Sequence, residues 1–329
     1  MKFSLFKYGT GILYGTTLAL DSISPDTGPS TGGQAFVIRG ETLYYPTYDS
    51  EFTGVVLDPS KWTDISSGTG SATTGSSHLQ LSSGTTTGSV GGIQMIASHT
   101  DVQYEAKINI PSVTVNPTAD VILFEMQNYV DANNQANFYV KLDSSGNVTL
   151  NSDVYLGGTL KDTYSETWTT GVSTLKILRW STDVYFYANG SLFYYSKQGN
   201  TSSAAFRFFV GNLTTTYNVY NTVVEYVKNR PYAAFDNQVV HDLTVVSDSR
   251  ARGFTPPSMD GRGRSAAYEG LVDVSVVSNA TLTVTDMYEY YYVDSLTLVD
   301  EEQFDFKFSA IDDDSVKTPA ASSRGLGGR

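Results

Sequence analysis

Apolar and polar residues alternate in short runs along most of the chain, which predicts β-strands rather than helices. Residues 102–110, 138–142 and 304–308 show it most clearly, because every second position there is apolar or aromatic. Stretches rich in Gly, Asn, Asp and Ser separate such runs and predict tight turns, for example over 143–147 and 188–191. The pattern predicts an all-β protein of the sandwich type.

Between residues 78 and 227 the apolar runs recur at even spacing, as the strands of a sandwich do. They cover 78–81, 93–97, 102–110, 121–127, 138–142, 148–150, 175–180, 184–187, 192–195, 205–210 and 223–227. Residues 66–89 are rich in Gly, Ser and Thr, a composition also typical of low-complexity disorder. Because the apolar runs continue through this stretch, we interpret it as loops between narrow strands.

The composition agrees with this interpretation and narrows it. The 329 residues have room for two or three domains, and the 29 glycines and 23 tyrosines suit short strands joined by turns. The lack of cysteine excludes disulfides, thiolate metal sites and cysteine nucleophiles, and it favours folding in a reducing cytoplasm. The stretch over residues 3–8 is too short and too polar for the apolar segment of a signal peptide, so we expect none. No apolar run is long enough to cross a bilayer, so we expect no membrane insertion.

The formal net charge of −13 argues against nucleic acid as a partner, because phosphate contacts need clustered Lys and Arg. One basic cluster stands out, formed by Arg250, Arg252, Arg262 and Arg264 in a stretch rich in Gly and Pro. We interpret it as a solvated or subunit-facing loop, with a phosphate site as the alternative.

Residues 23–40 carry four features in a fixed order. They are Ile23-x-Pro25, Gly28-Pro29, Gly32-Gly33 and a strand that ends at Gly40. This order resembles the opening of the IPT/TIG family of immunoglobulin-like domains. Features that resemble the second half of such a domain appear only after Pro231: a strand over 239–246, Thr255-Pro256-Pro257, a Gly-led strand over 270–276 and a Tyr-rich strand over 288–291. The resemblance implies one Ig-like domain interrupted by an insertion, which an exposed loop tip tolerates.

The intervening residues, roughly 52–228, resemble the concanavalin A-like lectin/glucanase superfamily. The most specific parts are Leu57-Asp58-x-x-x-Trp62 and the meander that includes Asn189-Gly190. This resemblance implies a jelly-roll sandwich, in a superfamily that contains both lectins and glycoside hydrolases.

We therefore predict four parts in the chain. They are an N-terminal docking arm over 1–20, a split Ig-like domain over 21–47 and 232–293, a concanavalin A-like jelly roll over 48–230, and a C-terminal strand and tail over 294–329. In the arm, the predicted assembly residues are Phe6, Tyr8, Leu13 and Tyr14, although a first strand of the Ig-like domain explains this stretch equally well. The alternative organisation is a short, incomplete first unit followed by two separate domains.

Hydrolases of this superfamily carry two carboxylates on one strand as Glu-x-Asp-x-x-Glu, so that both face one cleft. Here Glu105 is followed at alternate positions by Lys and Asn, and Glu125 is followed by Gln127 and Tyr129. Neither run offers a second acid, so we predict that the chain is not an enzyme. Nucleophile elbows, phosphate-binding loops and dinucleotide fingerprints are also missing from the sequence.

Oxygen-rich turns are the candidates for a metal, and calcium is the only cofactor considered. Asp131, Asn133 and Asn134 could bind Ca²⁺, as many lectins of this fold do, and so could Asp312–Asp314. A hairpin turn and a solvated tail explain the same residues without a metal. The three histidines show no ligand spacing.

Surface recognition of sugars is the remaining candidate function, because sugars stack their apolar faces on aromatic rings. The predicted glycan-binding residues are tyrosines of the jelly roll, namely Tyr185, Tyr187, Tyr194, Tyr195, Tyr217 and Tyr220. Alternation along strands places about half of such a set in the core, and the sequence does not say which half.

Two functions from different classes remain. The first is a structural protein of a tailed-bacteriophage virion (tail, baseplate or head decoration), assembled in the host cytoplasm. Its partners would be copies of itself, other virion proteins and host surface glycans. The second is a bacterial surface adhesin or carbohydrate-binding module, which requires an export signal or a cell-wall anchor. An active glycosidase is a more distant third hypothesis.

Overall fold

The structure is a computed structural model. It describes residues 18–43, 49–54, 56–75, 77–113, 117–212, 219–236, 238–241, 243–247, 249–257, 270–278 and 281–291. The predicted arm residues Phe6, Tyr8, Leu13 and Tyr14, together with Tyr217 and the predicted tail over 294–329, lie outside these ranges. The described residues form strands and no helix, which confirms the all-β prediction. Accordingly, they contain no helix long and apolar enough to cross a membrane.

The strands fall into three groups along the chain. The first group is β1 (Ala19–Ser24), β2 (Thr27–Pro29) and β3 (Ala35–Glu41). The second is β4 (Trp62–Asp64), β5 (Ser71–Thr74), β6 (Leu79–Ser82), β7 (Val90–Met95), β8 (Val102–Ile110), β9 (Val121–Asp131), β10 (Asn134–Leu142), β11 (Val148–Leu156), β12 (Thr159–Thr167), β13 (Gly171–Trp180), β14 (Asp183–Ala188), β15 (Ser191–Ser196), β16 (Ala205–Asn212) and β17 (Asn221–Asn229). The third is β18 (Tyr232–Phe235), β19 (Gln238–Val239), β20 (Thr244–Ser247), β21 (Arg250–Phe254), β22 (Gly270–Val277) and β23 (Thr281–Tyr291).

The second group forms a sandwich of two seven-stranded sheets. The front sheet has the order β12-β11-β10-β9-β16-β7-β4, and the back sheet has the order β15-β14-β13-β8-β17-β6-β5. Alternate side chains of both sheets point inward and form one apolar core, in which Phe138 of the front sheet contacts Phe186 of the back sheet edge-on. The period-2 pattern read from the sequence therefore marks the inward face of each strand.

Local chemistry explains two hairpin turns of this sandwich. Asn189 and Gly190 have positive φ angles of 51° and 82°, as a two-residue turn between twisted strands requires. Between β10 and β11, the carboxylate of Asp143 accepts hydrogen bonds from the backbone N–H groups of Ser145 (2.9 Å) and Asn147 (2.8 Å). Because turn type fixes register, these two turns help to determine which side chains become neighbours across the strands.

The first and third groups of strands share two further sheets, which we call the frame. One sheet has the order β1-β3-β21-β20 and the other has the order β19-β18-β22-β23-β2. Phe36 of β3 packs edge-on against Phe235 of β18, and Phe235 packs against Tyr288 of β23, so segments from both ends share one core. Strands from both ends of the chain lie in one core, as expected for a domain interrupted by an insertion. Membership of the IPT/TIG family stays a prediction.

The frame packs on the outer face of the back sheet through one aromatic cluster. Its buried members are Leu178, Tyr185 and Tyr187 of the sandwich and Tyr232, Val239 and Val277 of the frame. The hydroxyl of Tyr232 also donates a hydrogen bond to the carbonyl oxygen of Arg179 (2.6 Å). In the part of the chain that the structure describes, no apolar cluster joins the frame to the outer face of the front sheet.

Candidate functional site

The outer face of the front sheet gathers polar side chains that are almost fully buried. Along β9, β10 and β11 the core receives residues such as Phe124, Phe138 and Leu150, so the alternate residues point to the outer face. Five of these are only 6–8% exposed: Glu125, Gln127, Asn137, Asn151 and Asp153. Burying polar groups is unfavourable unless they are hydrogen-bonded, so this concentration on one face marks a candidate site.

The strand register aligns these side chains in two parallel rows. The first row crosses six strands and consists of Gln94, Arg207, Gln127, Asn137, Asp153 and Thr163. The second row crosses four strands and consists of Phe209, Glu125, Tyr139 and Asn151. Neighbouring strands lie about 4.8 Å apart, so the first row is about 24 Å long. The site is therefore an extended surface that matches a chain-like ligand better than a compact one.

Glu125 lies in the second row and carries a strongly perturbed carboxyl group. Burial raises the pKa of Glu125 to about 8, and the nearby Asp153 adds to the rise. A hydrogen bond of 2.6 Å from Nε2 of Gln127 to Oε1 of Glu125 opposes the rise only in part. Glu125 is therefore protonated at neutral pH and presents an O–H donor on this face.

Asp153 lies in the first row and is held by two hydroxyl groups. Tyr139 donates to its Oδ2 at 2.9 Å, and Thr163 donates to its Oδ1 at 2.6 Å. Burial and the charge of Asp153 raise the pKa of Tyr139, so the phenol stays a donor. These two hydrogen bonds hold the carboxyl group of Asp153 in place on the outer face of β11.

Asn137 contributes the acceptor that the site leaves unused. Its Oδ1 is buried and has no hydrogen-bond partner among the described residues, although Asn137 lies between Gln127 and Asp153 in the first row. A buried polar atom without a partner costs about 1–3 kcal/mol. A ligand hydroxyl that donates to this atom, once a neighbouring side chain moves aside, would recover that free energy.

Aromatic and cationic groups lie at the β16 side of the rows. The guanidinium group of Arg207 stacks on the ring of Tyr129, 3.2 Å from its centroid, and its Nε donates to Oε1 of Gln94 at 2.6 Å. This packing holds the Tyr129 ring and the Gln94 amide in fixed positions next to the buried amides.

The tyrosines predicted to bind glycans lie elsewhere. Tyr185, Tyr187 and Tyr220 are 8%, 4% and 7% exposed; the first two lie under the frame and the third lies in the sandwich core. Burial leaves these three rings no free face for a sugar. Tyr194 and Tyr195 are half-buried and each is stacked on another tyrosine, so a glycan role for these two stays a prediction.

Asp131, Asn133 and Asn134 form the hairpin turn between β9 and β10. Oδ1 of Asp131 accepts hydrogen bonds from the backbone N–H of Asn133 (2.8 Å) and from Nδ2 of Asn134 (2.9 Å), which lower the pKa of its carboxyl group. Oδ1 of Asn134 accepts from the backbone N–H of Gly157 (3.0 Å). The turn explains all three residues, and calcium binding stays a prediction. Nowhere in the described ranges do three or more His, Asp or Glu side chains group in a way that could hold a metal.

Of the candidate site, the sequence pattern along a single strand indicates only Glu125 and Gln127. Asn137 and Asp153 reach the same face from β10 and β11. The available signal was the alternation itself, because polar residues occupy every outward position of two successive hairpin strands.

Comparison with known proteins finds no family model and no curated protein that matches the chain. Solved structures match over 56% of it. One is a beta-glucanase from Bacillus licheniformis (11% identity, 98% of that chain, TM-score 0.43). Another is the catalytic domain of an endo-1,3-beta-glucanase (laminarinase) from Thermotoga petrophila (10% identity, 97% of that chain, TM-score 0.43). A third is an immunostimulatory antigen and pseudo beta-1,3-glucanase from Mycobacterium tuberculosis (14% identity, 98% of that chain, TM-score 0.41).

These likenesses concern the fold. The two seven-stranded sheets agree with the predicted jelly-roll sandwich, and the matched structures give no support to the IPT/TIG or bacteriophage parts of the prediction. They also contradict the prediction that the chain is not an enzyme, because several of the matched proteins are described as glycoside hydrolases or glucanases. That prediction is withdrawn.

Proposed function

We propose that the jelly roll binds a carbohydrate chain along the two polar rows on the outer face of its front sheet. The observation that carries this proposal is the unpaired, buried Oδ1 of Asn137 beside the Gln127–Glu125 pair. Neighbouring sugar hydroxyl groups could donate to the amide oxygen and accept from the protonated carboxyl group.

The surrounding groups suit the same class of ligand. A sugar has hydroxyl groups that both donate and accept hydrogen bonds, and it has apolar ring faces that stack on aromatic rings. The face offers the amides of Gln127 and Asn137 together with the rings of Tyr129 and Phe209. The length of the first row, about 24 Å, favours an oligosaccharide over a single sugar.

Titration calorimetry of the full chain with a panel of neutral oligosaccharides tests this proposal. The panel should include a β-1,3-linked glucose hexasaccharide, since two of the matched structures are described by that linkage. We expect one panel member to bind, and Asn137→Ala to weaken it about tenfold through the loss of one buried hydrogen bond.

The matched control is Asn109→Ala, which removes an outward-facing amide from β8 of the back sheet and should leave the affinity unchanged. No binding across the panel, or equal losses for the two variants, would show that the front face is not the binding surface.

Glycoside hydrolysis is a second candidate, and Glu125 is the observation that favours it. A carboxyl group with a pKa of about 8 keeps its proton at neutral pH, as a general acid must. Asp153 supplies a second carboxyl group on the same face, two strands away. Release of reducing ends from a bound oligosaccharide, abolished in Glu125→Gln while binding persists, would support hydrolysis. Binding without release would leave recognition as the function.

The role of the whole chain rests on the sequence alone. We retain as a proposal that it is a virion protein of a tailed bacteriophage, with a bacterial adhesin or carbohydrate-binding module as the alternative. The aromatic, Gly-punctuated stretch over 1–20 supports the virion proposal as an assembly arm. Mass spectrometry of purified particles tests it, and absence of the chain from them would end it.

A further inference from the structure

A second recess lies between the outer face of the back sheet and the frame, on the other side of the sandwich from the polar rows. We call this recess the frame cleft. It has a volume of about 630 Å³, a size that accommodates one or two sugar rings. Its walls include Glu105 and Lys176 of the back sheet, Arg230, and Val240, His241, Leu243, Thr244 and Ser247 of the frame.

One ion pair in the frame cleft is already satisfied. Oε1 of Glu105 accepts hydrogen bonds from Nη2 of Arg230 at 2.9 Å and from the hydroxyl of Tyr226 at 3.0 Å. Opposite charges at this distance neutralise each other. The Glu105–Arg230 pair therefore contributes little net charge to the cleft.

Lys176 supplies a second cation to the frame cleft. It faces Glu105 across the β8–β13 ladder, but the Glu105 carboxylate is engaged by Arg230. Among the described residues, no carboxylate lies within 4.0 Å of its Nζ, which sits 4.0 Å above the centroid of the Tyr187 ring. Burial lowers the pKa of Lys176. A half-buried ammonium group that shares the carboxylate of Glu105 with Arg230 is incompletely paired, so an anion in the cleft would stabilise it.

We propose that the frame cleft binds a small sugar that bears a carboxylate, of the uronic acid type, with the carboxylate against Lys176. Among the described residues, Lys176 and Arg230 share the one carboxylate of Glu105 in the cleft, which leaves one positive charge to match one ligand carboxylate. Val240 and Leu243 offer an apolar wall for the ring face, while Thr244 and Ser247 offer hydroxyl partners for its hydroxyl groups. The volume is far larger than a bare carboxylate needs.

Titration of the full chain with D-glucuronate tests the proposal, with D-glucose and acetate as comparison ligands. Glucose has the same ring without the charge, and acetate has the charge without the ring. We expect glucuronate to bind at least tenfold more tightly than either of them. The titration contains no neutral oligosaccharide, so its result is independent of the proposal for the front face.

Variants of Lys176 locate the site. We expect Lys176→Met to weaken glucuronate binding at least tenfold and Lys176→Arg, which keeps the charge, to retain most of it. Lys107→Met is the matched control: it removes a lysine from β8 that is ion-paired with Glu225 and does not line the cleft. Thermal melts establish that each variant is folded.

Four results would overturn the proposal. They are no binding of glucuronate, equal binding of glucose or of acetate, retention of the affinity in Lys176→Met, and an equal loss in Lys107→Met. Loss in both Lys176→Met and Lys176→Arg with unchanged melts would equally exclude the assigned role of the charge.

Discussion

The two outer faces of the sandwich come from the same alternating pattern and yet differ in what covers them. On the back sheet, Tyr185 and Tyr187 are closed over by Tyr232 and the rest of the frame. On the front sheet, the outward positions hold amides and carboxyl groups in register, and Oδ1 of Asn137 lacks a hydrogen-bond partner among the described residues. One face joins two parts of the chain, and the other concentrates polar side chains.

This difference shows that aromatic content alone does not identify a ring that is free to bind a ligand. A tyrosine that points away from its own core still becomes structural when another part of the chain packs on it. Buried amides and carboxyl groups on an outward face do not stabilise the fold by packing in this way. Burying them is unfavourable unless they form hydrogen bonds. The polar face is therefore the better candidate for a ligand.

The largest effect is expected where the back face joins the frame. Tyr232 is 1% exposed, packs edge-on against Trp180 at 6.2 Å and donates a hydrogen bond to the Arg179 carbonyl. We expect Tyr232→Ala to lower the free energy of unfolding by about 3–5 kcal/mol, measured by denaturant titration. Tyr232→Phe, which loses only the hydrogen bond, should lower it by about 1 kcal/mol. Equal small losses for both variants would mean that this cluster does not hold the frame.

A pH-dependent effect is expected on the front face. The pKa of Glu125 is raised from 4.5 to about 8 in the folded protein, so folding favours the protonated form. This stabilisation is fully present below pH 4.5 and is lost progressively as the pH rises from 4.5 through 8, by at most about 5 kcal/mol. Glu125→Gln cannot titrate, so its free energy of unfolding should fall less than that of the wild type between pH 5 and 9. Parallel pH profiles for the two proteins would place the Glu125 carboxyl in water.

A smaller difference in the free energy of unfolding is expected between two tyrosines that each donate a hydrogen bond to a carboxylate. Tyr139 donates to Asp153 on the front face, and Tyr226 donates to Glu105 on the back sheet. We expect Tyr139→Phe to lower the free energy of unfolding by about 2 kcal/mol, because Asp153 is buried. Tyr226→Phe should lower it by about 1 kcal/mol or less, since Arg230 still pairs with Glu105. The reverse order in denaturant titrations would contradict the burial difference between the faces.

The strands of the sandwich could be predicted from the sequence because their signals are local. The period-2 pattern of residues 102–110 and the Asn189-Gly190 turn act within a few residues, and the structure has β8 and a hairpin there. The all-β class followed from such signals.

The candidate site could not be predicted in the same way, because it depends on register between strands. Glu125, Asn137 and Asp153 meet only through the pairings of β9 with β10 and of β10 with β11. Each alone reads as an ordinary polar residue of a half-buried strand. The covering of Tyr185 and Tyr187 is set by β18 and β19, whose packing no pattern near those tyrosines encodes.

The central claim is that the front face, and not the back face, recognises the neutral oligosaccharide. Hydrogen–deuterium exchange of the full chain, with and without the panel oligosaccharide that binds most tightly, tests it most directly. We expect slower exchange in peptides covering residues 121–142 and 148–156, and unchanged exchange in peptides covering 183–196. Protection confined to 183–196 or to the frame, with none over 121–156, would contradict the account.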